Sequence, residues 1–281
     1  MNMTTNTYTP LHLNHTGEEA VLHLSGDITE RLAMDFEQTV NLAFGYYAYD
    51  TVKLKINSPG GSLLGLTHIT QTIERWRREG RCVETQTIFL AASAGAMLLA
   101  LGEIPRREVQ RHSSILFHHT RTAGPKDFQI TAHAAQHLAV ALGRMDQQLV
   151  RQMVDHISKG FDGWKGVATE GLARCALLKN RADLIAQDLR MDAVTAQIGP
   201  IEKVYRDIVK TKSMAPYIDF LEQRMRQDSS MDVREAYALA LIDRVFMAPS
   251  LLAQARFGDT SALVNMPASP ARRASRKAVC V

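Results

Sequence analysis

The chain has 281 residues, 46% of them apolar, enough for one large core or two small ones and too many for a wholly disordered chain. Its formal net charge of +4 is a mild excess, carried in part by Arg272, Arg273, Arg276 and Lys277, which read as a solvated end, so no nucleic-acid partner is expected. Cys82, Cys175 and Cys280 lack metal-ligand spacing, the first residues lack the basic and apolar segments of a secretory leader, and no apolar run reaches bilayer length; a cytoplasmic protein without metal or membrane contact is expected.

Residues 1–18 read as a loose polar lead. Residues 20–26 form a candidate strand ending at the Gly26 turn. Residues 29–44 have helical spacing, with Leu32, Phe36, Val40, Leu42 and Ala43 on one side. Residues 51–57 alternate, Val52, Leu54 and Ile56 on one face and Lys53 and Lys55 on the other, the pattern of a half-buried strand. Pro59, Gly60 and Gly61 stop it, and a helical pattern resumes over 63–76. Residues 82–90 are strand-like, 93–101 form an apolar helix closed by Gly102, and 114–118 form another strand. The order β-α-β-α-β predicts an α/β layer structure. Residues 128–157 have a helical stripe too long to lie flat on a small core, so that helix is expected to project. Residues 158–215 form a separate block, loop-like over 160–166, helix-rich over 177–198 and broken by Gly199 and Pro200. A helix over 218–225 follows. Asp232 and Glu235 then form a capping box, with the helix running to about Leu241. From 250 the chain becomes rich in Ala, Ser, Pro and Arg, a composition expected of a disordered tail.

Two turns of small residues carry the chemistry. Asn57-Ser58-Pro59-Gly60-Gly61-Ser62 and Ala91-Ala92-Ser93-Ala94-Gly95-Ala96 each lie between an apolar strand and a helix. A serine at the first turn of a helix sits beside backbone N–H groups that have no helical acceptor. With a histidine as base and amides that stabilise an oxyanion, it is a candidate nucleophile. His118 is the candidate base. Its neighbour His119 is a rival, because adjacent strand residues face opposite ways and only one can reach the serine. The bland alternatives are a small residue for close packing at Ser93, an ordinary left-handed turn at Gly60 and Gly61, and a satisfied core or surface histidine. His133 and His137 have the i, i+4 spacing of metal ligands, but no glutamate of a metalloprotease helix lies between them, so they read as solvated or subunit-contact residues.

These segments resemble the proteolytic subunit of the ATP-dependent Clp protease. Ile56 to Ser62 matches that family's oxyanion loop, and Ala91 to Ala96 its nucleophile segment, with Ala94 where methionine is usual. Ser113-Ser114-Ile115-Leu116-Phe117-His118 falls at its histidine strand. Asp228 lies seven residues before Glu235-Ala236, where the family's aspartate precedes its Glu-Ala helix, and Leu241-Ile242-Asp243 and Leu24-Ser25-Gly26-Asp27-Ile28 also match. The resemblance covers residues 20–157 and 214–247. It implies an α/β fold of the ClpP/crotonase type: stacked β-α units, a protruding handle helix over 128–157 and a helix-rich insertion at 158–215. The implied domains are a lead (1–18), a peptidase domain (19–249) and a basic tail (250–281). The implied function is a serine peptidase without cofactor, acting on peptides or unfolded proteins inside a homo-oligomeric ring. Ser93 is then nucleophile, His118 base and Asp228 the orienter, with Asp219 and Asp232 as nearby rivals. Gly61 and Ala94 supply the oxyanion donors, and Pro59 and Gly60 support the turn. Lys53 and Lys55 stand where the family has tyrosines that dock an AAA+ unfoldase, so the usual partner is not expected. Ala240 stands where glycine is common; a left-handed backbone there would cost on the order of 1–2 kcal/mol. The alternatives are a catalytically weak ring subunit with a structural or regulatory role, and a crotonase-type acyl-CoA enzyme.

Overall fold

The computed structural model describes residues 11–16, 19–118, 131–180, 191–227 and 230–246. Its centre is a sheet in the order β1-β2-β3-β4-β5-β8: β1 (Leu11–Thr16), β2 (Glu19–Ser25), β3 (Thr51–Ser58), β4 (Cys82–Ala92), β5 (Arg107–Gln110) and β8 (Arg244–Phe246). From β2 to β8 the pairs are parallel, while β1 runs antiparallel to β2. The eleven-residue β4 outlasts its neighbour β5, and its last residues pair instead with β6 (Ser114–Leu116), which pairs antiparallel with β7 (Ser230–Met231). A register shift between Ile56 and Ser58 turns the end of β3 toward Ala91, bringing the two small-residue turns together.

The alternation in β3 is realised: Val52, Leu54 and Ile56 are buried, and Lys53 lies on the other face 3.7 Å from Glu84. α1 (Glu30–Asn41) and α2 (Leu63–Arg78) cover the core, with Thr29 and Ser62 as N-caps whose hydroxyls accept from Leu32 and Gly65 amides. α3 (Ala94–Ala100) is buried along its whole length, as its uninterrupted apolar composition requires. α4 (Ala132–Gly160) has 29 residues and is about 43 Å long. Val150, Met153, Val154 and Ile157 seat its second half on the core, while Val140 and Met145 of its first half are exposed, so the helix projects as its length predicts.

Several elements depart from the sequence reading. The lead contains β1, held by backbone pairing along the edge of β2. The segment 160–166 is not a loop: only Phe161 and Asp162 separate α4 from α5 (Gly163–Asn180). Pro200 does not break a helix but lies inside α6 (Met191–Thr211). Ile198, Ile201, Val204, Tyr205 and Ile208 are buried on that helix, and their packing outweighs the missing hydrogen bond. α7 (Ala215–Arg226) follows. At α8 (Val233–Ala238) Asp232 caps as expected by accepting from the Glu235 amide at 2.8 Å, but Glu235 turns away to a bidentate pair with Arg224 at 2.6 and 2.7 Å. The capping box is therefore half made, and the helix ends at Ala238.

Buried polar groups tie the helical block to the sheet. Arg107 of β5 donates from Nε and Nη2 to Asp243 at 2.8 Å each, and Arg174 of α5 reaches the same carboxylate at 3.1 Å. All three are almost fully buried. Burial alone would raise the Asp243 carboxyl, but Arg107 and then Arg174 outweigh it and hold it below the usual carboxylate range. Arg174 also stacks 4.7 Å from the Tyr237 ring centroid, and the Tyr205 hydroxyl donates to the Ala238 carbonyl at 2.7 Å.

Candidate active site

Ser93 occupies the junction between β4 and α3 with φ 53° and ψ −123°. A non-glycine residue with positive φ is strained by about 1–3 kcal/mol and persists only where its surroundings over-determine it. Here the surroundings are explicit. The Ser93 amide donates to the Leu116 carbonyl at 2.7 Å, so β6 pins the elbow two residues before His118. The Ser93 carbonyl accepts from Ala96 and Met97 and starts α3, while its hydroxyl makes no cap bond to that helix.

The Pro-Gly-Gly turn closes on this elbow. A Cβ on Gly60 would lie 2.5 Å from the Ser93 Cβ and 2.8 Å from the Ala92 carbonyl oxygen, and one on Gly61 would lie 2.3 Å from the Ile28 carbonyl oxygen. Both glycines also have positive φ, 104° and 146°. Glycine is needed here on both counts: no side chain fits and the backbone conformation disfavours one. The Ser58 hydroxyl fixes the turn, donating to the Gly26 carbonyl at 2.7 Å and accepting from the Gly60 amide at 3.0 Å.

A cavity of about 310 Å³ opens at this meeting point. Pro59, Gly61, Ser93, Ala94 and His118 line it together. Ser93, which follows a strand, and His118, 25 positions on, thus line one cavity with residues of both turns. Asp228 and His119 lie outside the described residues. Asp232 is engaged as the cap of α8, and Asp219 lines a separate groove on the helical block.

The family model for Clp protease matches residues 11–165, just over half of the chain. The chain belongs to the Clp protease family. It is 30% identical over 142 residues to ATP-dependent Clp protease proteolytic subunit 1 of Corynebacterium glutamicum, a match covering 50% of this chain and 65% of that relative. It is 30% identical over 150 residues to proteolytic subunit 3 of Parasynechococcus marenigrum, covering 52% and 74%, and 27% identical over 166 residues to subunit 1 of Cutibacterium acnes, covering 57% and 76%.

In this member of the Clp protease family the match ends just inside α5, and among the described residues the helices that follow reach the site at one point. Met225 of α7 lines the Ser93 cavity, as do Leu66 of α2, Met97 of α3, and Asp146 and Leu149 of α4. The sequence reading passed over these residues. One signal for Asp146 was available: it stands four residues after Leu142 and three before Leu149, on the apolar stripe of α4, where a carboxylate is out of place. No described residue of 158–215 lines the cavity.

The buried Cys175 thiol is pushed up to about 12, by burial first and by Glu202 second, so it carries almost no thiolate at neutral pH. Among the described residues no group of three or more His, Cys, Asp or Glu side chains is placed to hold a metal, and His133 and His137 contact each other at 2.9 Å on the exposed half of α4. No described helix is long and apolar enough to cross a membrane.

Proposed function

We propose that the chain is a serine peptidase hydrolysing peptides or unfolded proteins through Ser93, His118 and Asp228. The observation that carries this reading is the strained Ser93 elbow, closed on by a glycine turn that admits no Cβ and sharing one cavity with His118. The Ser93 Oγ attacks the substrate carbonyl carbon as His118 takes its proton. The Gly61 and Ala94 amides receive the negative charge that develops on the carbonyl oxygen. His118 then gives the proton to the leaving amine; water, deprotonated by the same imidazole, attacks the acyl carbon, and the bond to Ser93 breaks as His118 returns that proton to Oγ. Asp228 holds the imidazole in the correct tautomer.

The relatives are named as subunits of ATP-dependent Clp proteases, and we extend a chambered homo-oligomer to this chain on the strength of the projecting half of α4, whose Val140 and Met145 are exposed. Its unfoldase partner, if one docks on the β3 face, meets Lys53 paired with Glu84 rather than an apolar surface, so the usual docking loop is disfavoured.

The test is hydrolysis of fluorogenic peptides. Ser93→Ala and His118→Ala each lower kcat by about 10⁴-fold or more, and Asp228→Asn by a similar factor. A Ser93→Ala protein that retains wild-type turnover overturns the reading.

A further inference from the structure

We propose that two buried hydroxyls, on Ser58 and Thr87, are positioning residues that set the glycine turn against Ser93; the inference rests on the peptidase reading above. They bracket the irregularity in the pairing of β3 with β4. Ile56 pairs with Thr87 and Ser58 with Ala91, so Ile88, Phe89 and Leu90 lie opposite Asn57 alone. Regular pairing fixes two strands residue by residue, and it lapses here over the stretch that must deliver both turns. Side chains take its place. Before the lapse, Thr87 Oγ1 donates to the Ile56 carbonyl at 2.8 Å, and the Thr87 carbonyl accepts from the Ser113 hydroxyl at 3.4 Å. After it, Ser58 Oγ donates to the Gly26 carbonyl at 2.7 Å and accepts from the Gly60 amide at 3.0 Å. Ser58 and Thr87 are both 0% exposed, so removing either hydroxyl leaves a buried backbone group unpaired.

Place in the fold gives these bonds their weight. Gly60, held by Ser58, directly precedes Gly61, whose amide the peptidase reading aims at the developing oxyanion. Ser58 also packs on the helix that Ser93 begins: a Cβ on Gly95 would lie 3.1 Å from the Ser58 carbonyl oxygen and 3.2 Å from its Cβ. One side chain thus bears on the Gly26 turn, the Gly60 turn and the start of α3. The aim of an oxyanion donor counts in the transition state more than in binding, and a misplacement of about 1 Å can cost about 10²-fold in rate. Thr85 supplies the contrast. It lies on the same strand, is also 0% exposed, and donates from Oγ1 at the same 2.8 Å, but to the Leu99 carbonyl in the last turn of α3. Its own pairing, with Leu54, is regular.

The experiment compares Ser58→Ala, Thr87→Val and Thr85→Val with the wild-type protein. Labelling of the wild type by a fluorophosphonate is measured first, and melting temperatures set an assay temperature at which every variant is folded. The expected result is a labelled wild type, with Ser58→Ala and Thr87→Val each lowering kcat on a fluorogenic peptide by about tenfold or more while KM stays within about threefold. A peptide boronate, which forms a tetrahedral anion on the serine, loses affinity by the same factor as kcat/KM. Thr85→Val removes an equally buried hydroxyl; it lowers the melting temperature but keeps kcat within about twofold of the wild type. A labelled wild type in which either Ser58→Ala or Thr87→Val spares kcat, or in which Thr85→Val lowers it as much as Thr87→Val does, overturns this inference and leaves the peptidase reading standing. A wild-type protein that takes no label overturns both.

Discussion

At Gly60 the distance from an added Cβ to Ser93, 2.5 Å, makes the turn and the elbow a single object. Substituting Gly60→Ala must push them apart or twist the loop, and the expected consequence is loss of about 10²-fold or more in kcat, comparable to losing one oxyanion donor. Gly80→Ala is the control. Gly80 also has a positive φ, 80°, but nothing lies within 4 Å of its added Cβ. That variant loses on the order of 1 kcal/mol of stability in urea denaturation and keeps its peptidase activity. Equal activity losses in the two variants would contradict the role given to the contact. The turns that bring Gly60, Gly61 and Ser93 together were legible in the sequence because turn chemistry is local: small residues between a strand and a helix mark a tight junction. The sequence did not show Asp146 as part of the site, because a single carboxylate in a helical stripe acquires meaning only when the packing partners of that helix are known. Ala240 falls between these cases. Its φ of 54° is left-handed, one of the two outcomes the sequence left open, and the Ala240 carbonyl accepts from Arg107 Nη2 at 2.8 Å, which helps to hold the strained turn.

Among the elements, those with a clear period were readable and those sustained by partners were not. β3 declares itself through Val52, Leu54 and Ile56, and α4 through its long stripe. β1 exists because β2 offers an open edge, and α6 continues through Pro200 because tyrosine and isoleucine side chains beyond it are buried. The same dependence on partners governs how the helical block is attached. Asp243 faces two buried arginines, one from β5 and one from α5, so Asp243→Asn leaves cations without their counter-charge and should cost about 3–5 kcal/mol. The ion pair of Arg81 with the exposed Asp50 lies at the surface, and Asp50→Asn should cost less than about 1 kcal/mol. Chemical denaturation of the two variants side by side checks the contrast. Similar small losses would mean that the buried network does not anchor α5 to the sheet.

For the molecule as a whole, His156 sets a pH dependence. Its Nε2 lies 2.9 Å from the Gly102 carbonyl oxygen, and burial first, then Arg77 and Arg107, push its imidazole down to about 3. The unfolded imidazole takes up a proton near 6.5, so below that pH the unfolded chain binds more protons than the folded one. The stability that His156 contributes is therefore complete above pH 6.5 and declines as pH falls toward 3. Asp243, whose pKa is lowered from 3.8, loses its contribution only at lower pH. Because the ring keeps a partly exposed edge, the expected loss between about pH 7 and pH 5 is about 1–2 kcal/mol beyond that of His156→Gln. Parallel stability-against-pH curves for the two proteins would contradict this assignment.

The central claim is that the fold prepares one hydroxyl, on Ser93, for attack on a carbonyl. The most direct measurement is to treat the intact protein with a fluorophosphonate, digest it, and locate the added mass by peptide sequencing. The account predicts one modified site, Ser93, with labelling lost in His118→Ala. Modification at another serine, or labelling of Ser93 that proceeds equally well without His118, would contradict it.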